Sequence, residues 1–130
     1  MRATPLAGVR ILLVDDDELV RDSLQEFFVE CGAVVVAAAS ARAGLKAFTQ
    51  APPDVLVSDL RMPPGEDGFW LIAAVRALRP EQGGEVPAVA VTGDVIAASQ
   101  AMAAGFHAVH GKPPRLPDLA ALVARLAGVA

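Results

Sequence analysis

Short apolar runs alternate along this chain with segments of helical period. Val9–Val14, Ala33–Ala38, Val55–Ser58, Val86–Val91 and Ala108–Val109 are the apolar runs. Runs this short and this rich in valine and isoleucine read as strands buried on both faces. Between them, Val20, Leu24, Phe27, Phe28 and Cys31 recur at the spacing of one helical face. Leu71, Val75 and Leu78 repeat that spacing, as do Leu119, Leu122, Val123 and Leu126. Stop signals agree with these helices: Gly32 follows the first, Pro80 the third and Gly128 the last. A further helix is expected over Ala41–Gln50, with Ser40 as its N-cap and Leu45 and Phe48 facing inward. Five βα units imply an α/β fold, an open doubly wound parallel sheet with helices on both faces and right-handed crossovers. Ligands in such folds sit beyond the carboxyl ends of the strands, at the switch in strand order.

Composition narrows the class. The chain has 130 residues, one domain's worth, with 54% apolar and 20% charged residues, which excludes intrinsic disorder. The mean hydropathy of +0.46 is inflated by 26 alanines. The longest stretch free of Asp, Glu, Lys and Arg is the 17 residues Val95–Gly111, short of the ~20 apolar residues of a spanning helix. No secretory leader pattern opens the chain, so a soluble cytoplasmic domain without membrane contact is expected. Cys31 stands alone, without a disulfide partner or zinc-like spacing. A net charge of −4 with scattered basic residues argues against a nucleic-acid surface. Lysine is scarce, Lys46 and Lys112 against nine arginines. Met1–Gly8 reads as a leader, 9–127 as the domain and 128–130 as a tail.

The residues just past each apolar run carry the chemistry. Asp15-Asp16-Asp17-Glu18 follows the first run. Acids there can simply cap a helix N-terminus and meet its dipole, which accounts well for Asp17 and Glu18. Asp15 and Asp16 lie closest to the buried strand end, where adjacent carboxylates repel by about 4 kcal/mol at 4 Å and an effective dielectric near 20. Asp59 ends the third run. The first and third strands are neighbours in a doubly wound sheet, so Asp59 is expected beside Asp15 and Asp16. Three converging carboxylates suit Mg²⁺ or a similar oxygen-seeking ion. Thr92-Gly93-Asp94 follows the fourth run and Lys112-Pro113-Pro114 the fifth. Alone, a turn aspartate, a capping hydroxyl and a surface lysine would explain Asp59, Thr92 and Lys112. Together they fall on one edge of one sheet.

In these positions the sequence resembles the receiver domain of two-component response regulators. The likeness is carried by Val14-Asp15-Asp16-Asp17, Val57-Ser58-Asp59-Leu60-Arg61-Met62-Pro63, Thr92-Gly93 and Lys112-Pro113, in register from about Val9 to Leu126. Asp67-Gly68-Phe69 and Ala104-Gly105-Phe106 further resemble receivers attached to hybrid sensor histidine kinases. The resemblance implies a flavodoxin-like (βα)5 fold with strand order 2-1-3-4-5. It also implies that Asp59 accepts a phosphoryl group from the phosphohistidine of a sensor kinase or phosphotransfer protein. Mg²⁺, with Mn²⁺ as a substitute, would be held by Asp16, Asp59 and the Arg61 backbone carbonyl, and by Asp15 mainly through water. Lys112 would bind a phosphoryl oxygen, Thr92 would hydrogen-bond the acyl phosphate, and a surface for an unknown downstream protein would change. The lysine–proline peptide would be cis.

Four features depart from the family pattern. The loop after Asp59 is one residue longer, near Pro64. The span from Thr92 to Gly105 is about two residues shorter, so the fourth helix is expected to be truncated or to start late. Val109 stands where the family usually has an aromatic residue that moves with the threonine, and Pro114 stiffens the approach to the last helix. Arg61 and Asp94 each lie two residues past a site residue and are expected to pair across its mouth, modulating water access. His107 and His110 read as ordinary strand histidines.

Two other classes compete with the phosphoryl-accepting switch. One is an interaction module of the same fold that takes no phosphate, against which the intact Asp15, Asp16, Asp59, Thr92 and Lys112 argue. The other is a phosphatase of the haloacid dehalogenase type, whose Asp-x-Asp-x-Thr/Val motif is broken at Leu19. An enzyme is therefore not expected, beyond self-phosphorylation from small donors and self-dephosphorylation.

Overall fold

The computed structural model describes residues 4–63 and 65–129. Its elements run β1 (Arg10–Val14), α1 (Glu18–Glu30), β2 (Val34–Ala38), α2 (Ala41–Gln50), β3 (Val55–Ser58) and α3 (Gly68–Arg76). Then come a 3-10 turn (Pro80–Gln82), β4 (Ala88–Thr92), α4 (Val95–Ala104), β5 (Ala108–Gly111) and α5 (Leu116–Leu126). The five strands are parallel in the order β2-β1-β3-β4-β5. The doubly wound parallel sheet expected from the alternation of runs and helical faces is observed, in the flavodoxin-like strand order that the resemblance implies.

Strand alternation divides the core into two layers. Ile11, Leu13, Val55, Val57, Val89 and Val91 point to the side covered by α1 and α5, where they meet Leu24, Phe28, Leu119 and Val123. Leu12, Val14, Leu56, Ala88 and Ala90 point to the side of α2, α3 and α4, against Phe48, Leu71, Ile72 and Ala101. The central strands β1, β3 and β4 are thus apolar on both faces because helices cover both.

The sheet edges depart from that expectation. In β2, Val34 is 58% and Val36 49% exposed, and β5 is only half-buried. An edge strand has a neighbour on one side only, so valine content alone does not secure burial. The leader also differs from a plain linker: Leu6 is fully buried and its N–H donates to the Cys31 carbonyl at 2.9 Å.

Side-chain caps set the helix starts. Asp17 accepts from Leu19 and Val20, Ser40 from Ala43, Asp67 from Trp70 and Asp94 from Ala97. Helix α4 therefore begins directly after Asp94. It does not start late, and the shorter span after Thr92 costs no opening turn. At the far end of the sheet, Arg76 donates to the carbonyls of Gly105 and Gly84, tying α3 to the end of α4. Burial lowers the pKa of this guanidinium from its ordinary value. The extra loop residue expected near Pro64 lies outside the described residues.

Candidate functional site

The carboxyl ends of β1, β3 and β5 bring Asp15, Asp59 and Lys112 together. Asp15 is 1% and Asp59 8% exposed. The Lys112 ammonium donates to Asp15 Oδ2 and to Asp59 Oδ2, at 2.9 Å each. Neighbouring strands in register bring the two aspartates together, since Val14 lies opposite Ser58 and each is followed by its aspartate, while Lys112 reaches them from β5, beyond β4. Asp16 is exposed, yet carboxylate oxygens of Asp15, Asp16 and Asp59 all lie within 4.8 Å of one another. Three carboxylates and one ammonium leave a formal surplus of two negative charges (−3 + 1). That charge and an all-oxygen donor set fit one hard divalent cation such as Mg²⁺.

Backbone groups hold the acids in place. The Leu60 N–H donates to Asp59 Oδ1 at 2.7 Å, and the Ser58 hydroxyl donates to the Asp59 carbonyl at 2.8 Å. Asp15 Oδ1 accepts from the Asp17 N–H at 2.9 Å, and Arg21 donates to the Asp15 carbonyl at 3.0 Å. Burial pulls the Lys112 ammonium toward neutrality, but its hydrogen bonds to Asp59 and Asp15, and their negative charges, outweigh it and hold its pKa above the ordinary value. The Lys112–Pro113 peptide is cis, as the resemblance implies.

Thr92 ends β4 at 4% exposure, and its hydroxyl accepts from the Asp94 N–H at 3.1 Å. Beside it lies an open depression lined by Thr92, Asp94, Val95, Ala98, Val109 and Lys112. The small Val109 side chain at this place leaves room around the hydroxyl. Across the mouth, Arg61 Nε meets Asp94 Oδ2 at 3.2 Å, so the expected pair is present. A hydrogen bond from the Ala97 N–H, with Arg61 adding to it, lowers the Asp94 pKa from its ordinary value. The Arg61 guanidinium also lies 5.9 Å from the Phe69 ring centroid. The histidines play backbone roles: His107 Nδ1 accepts from Ala88 N–H and His110 Nε2 from Arg115 N–H, each at 3.1 Å.

Three contributors escaped the sequence reading. Arg21 sits one turn into α1, where a basic residue near an acidic run looks like surface charge. The Ser58 hydroxyl faces inward although a strand-end serine reads as solvated. Gly68 has an unremarkable backbone, but a Cβ there would collide with the Asp59 carbonyl and Leu60 Cα. Its N–H donates to the Leu60 carbonyl at 3.0 Å, so α3 is pressed against the acceptor strand. A glycine directly after a capping aspartate was the available signal.

Residues 11–124 match the family model described as the response regulator receiver domain. A 14.6 kDa protein from the sodA1 3′ region of Leptolyngbya boryana is 42% identical over 67% of this chain and 64% of its own length. The C4-dicarboxylate transport transcriptional regulatory protein DctD of Pseudomonas aeruginosa is 36% identical over 82% of this chain and 22% of its own. The chain thus spans less than two thirds of these curated relatives. Among solved structures, chemotaxis protein CheY4 of Vibrio cholerae superposes with a TM-score of 0.82 at 27% identity, covering 92% of this chain and 99% of that one.

Proposed function

This chain belongs to the response regulator receiver domain family, and from that premise we propose that Asp59 is its phosphoryl acceptor. The single observation that carries the reading is the Lys112 ammonium bridging Asp15 and Asp59 at 2.9 Å each, over an acid cluster with surplus negative charge. A carboxylate oxygen of Asp59 attacks the phosphorus of a phosphohistidine. The phosphorus–nitrogen bond breaks, and its electron pair leaves with the imidazole of the donor. Phosphoryl transfer of this kind depends on positioning and charge neutralisation far more than on acid–base chemistry. The Leu60 N–H holds Asp59 Oδ1 and so fixes the direction of attack. Lys112 lies in place to shift from Asp59 Oδ2 onto a phosphoryl oxygen. Asp15, Asp16, Asp59 and the Arg61 backbone carbonyl would hold Mg²⁺, or Mn²⁺ in its place, which supplies neutralisation of phosphoryl charge when bound.

The acyl phosphate carries nearly two negative charges. The Thr92 hydroxyl keeps its own proton to donate, because in this structure it accepts from Asp94. Drawing Thr92 toward the phosphate shifts the β4–α4 loop, and the room beside Val109 accommodates that shift. Charge at Asp59 thereby becomes a changed surface for a downstream protein. Arg61 and Asp94 close the rim and set how readily water reaches the acyl phosphate. We assign the receiver unit to residues 9–127, with Leu6 part of its packing.

The partners that follow are a histidine kinase or phosphotransfer protein upstream and a protein target downstream, in the cytoplasm and without nucleic-acid contact by this domain. No helix among the described residues is long and apolar enough to cross a membrane. The chemistry is that of a switch whose only turnover is its own phosphorylation from small donors and its own dephosphorylation. Incubation with Mg²⁺ and acetyl phosphate tests the reading. Intact-mass measurement should show one added phosphoryl group on the wild type and none on Asp59→Asn. An unmodified wild type would leave a phosphate-independent interaction module as the function.

A further inference from the structure

The edge of the sheet at β2 has the chemistry of a pairing strand. Val34 N–H donates to the Val9 carbonyl, and the Ala38 carbonyl accepts from Asp15 N–H. With the parallel register Arg10↔Val34 to Val14↔Ala38, the even-numbered residues of β2 turn their backbone groups toward β1. Val35 and Ala37 therefore turn their N–H and C=O groups outward, away from the sheet. Natural edges are ordinarily blunted by charge, proline or a bulge. None is present here: no charged residue and no proline occurs between Glu30 and Arg42. The exposed side chains along the edge are Val34 and Val36, at 58% and 49%.

We propose that β2 docks against β2 of a second copy of this chain, extending the two five-stranded sheets into one of ten strands. The occupant is chosen by self-complementarity and charge. An antiparallel two-fold pairing centred on Val36 sets Val35 of one copy opposite Ala37 of the other. Those residues exchange four backbone hydrogen bonds, using only the groups that β1 leaves free. Val36 then faces its own counterpart as a non-hydrogen-bonded pair, with side chains in contact and Cα atoms about 4.5 Å apart. Elsewhere copies meet with 15 acids against 11 basic residues each, whereas the 11 residues Cys31–Ala41 oppose no charge to one another. The edge also lies on the far side of the sheet from β4 and β5, so pairing is compatible with the switch and independent of it. Five residues of edge make a small interface, and the association is correspondingly weak.

Sedimentation velocity over a concentration series reaching about 1 mM reads the association directly, on the scale where small interfaces close. The wild type should sediment faster as concentration rises. Val36→Lys places two ammonium groups face to face at the axis and should remove the rise. Ala37→Pro deletes an outward N–H without touching the ladder to β1, and should remove it as well, with an unchanged circular dichroism spectrum. Val36→Cys should oxidise to a covalent dimer, because about 4.5 Å between Cα atoms lies within the disulfide range of ~4.4–6.8 Å. Val95→Cys, on a still more exposed apolar residue of α4 (83% against 49%), should not. A wild type monomeric at every concentration overturns the proposal and leaves this edge to water or to a strand of another protein. Association that survives both Val36→Lys and Ala37→Pro overturns it too, as does cross-linking at Val95→Cys to the same extent.

Discussion

Lys112→Met is the perturbation that most sharply exposes the electrostatics of the acid cluster. The ammonium sits 2.9 Å from Asp15 Oδ2 and 2.9 Å from Asp59 Oδ2, and those acids are 2% and 10% exposed in their side chains. Carboxylate oxygens within 4.8 Å of one another repel by about 3–4 kcal/mol at an effective dielectric near 20. Removing the ammonium leaves that repulsion uncompensated and deletes two charge-assisted hydrogen bonds, while the open mouth lets water return some solvation. A loss of about 2–4 kcal/mol in metal-free buffer is expected, toward the lower end for a pair broken in a partly hydrated site. Urea unfolding in EDTA, followed by circular dichroism, measures it. Mg²⁺ should then stabilise Lys112→Met more than the wild type, since the cation no longer competes with the lysine for the same oxygens. The sign also appears in wild-type pH dependence. The folded pKa of Lys112 is raised, so its contribution is complete below the unfolded lysine value of about 10.4 and is lost as pH climbs through the folded one. Lys112→Met should lack that alkaline segment. A variant within about 0.5 kcal/mol of wild type in EDTA, the range of ordinary surface substitutions, would refute the reasoning.

Gly68→Ala would be a gain of up to about 1 kcal/mol on helix propensity, yet the collision with the Asp59 carbonyl should make it a loss. A displacement worth about 1.4 kcal/mol at the acceptor would slow phosphorylation from acetyl phosphate about tenfold, measured by rate of mass gain. Arg61→Ala opens one side of the rim; an exposed pair is worth under about 1 kcal/mol, so the dephosphorylation rate should change by no more than about fivefold, but measurably. Burial and then Arg76 lower the His107 pKa. Its neutral form is the one that accepts from Ala88, so its contribution is complete above the unfolded value of about 6.5 and fades as pH falls through the folded one. Thermal unfolding of His107→Gln should show a flatter slope than wild type across that acidic window.

The central strands and the acceptor site were legible in the sequence for one physical reason. Burial on both faces makes β1, β3 and β4 continuous apolar runs, and a polar residue ending such a run must sit at the sheet's functional edge. Asp15, Asp59 and Thr92 obey that rule, and the adjacency of β1 and β3 brings the two aspartates together. Lys112 follows the half-buried edge strand β5 and reaches both acids with its long side chain. The edges obey a different rule. β2 has the composition of a buried strand, and only the strand order shows that half of its surroundings are missing. The start of α4 turned on a local competition: a span shorter than usual predicted a truncated or late helix, but Asp94 caps Ala97 at once, so the start is not late. Arg21 was silent, and Gly68 gave only the weak signal of a glycine after a capping aspartate, because their roles are three-dimensional. One reaches a carbonyl from the next element, and the other matters for an atom it lacks.

The most direct test of the account is to locate the phosphoryl group. After reaction with acetyl phosphate and Mg²⁺, peptide-level mass mapping should place a single acid-stable, base-labile modification on Asp59. It should be absent in EDTA and strongly reduced in Lys112→Met. Phosphate found at Asp15 or Asp16, or uptake at Asp59 that proceeds equally well without a divalent cation, would contradict it.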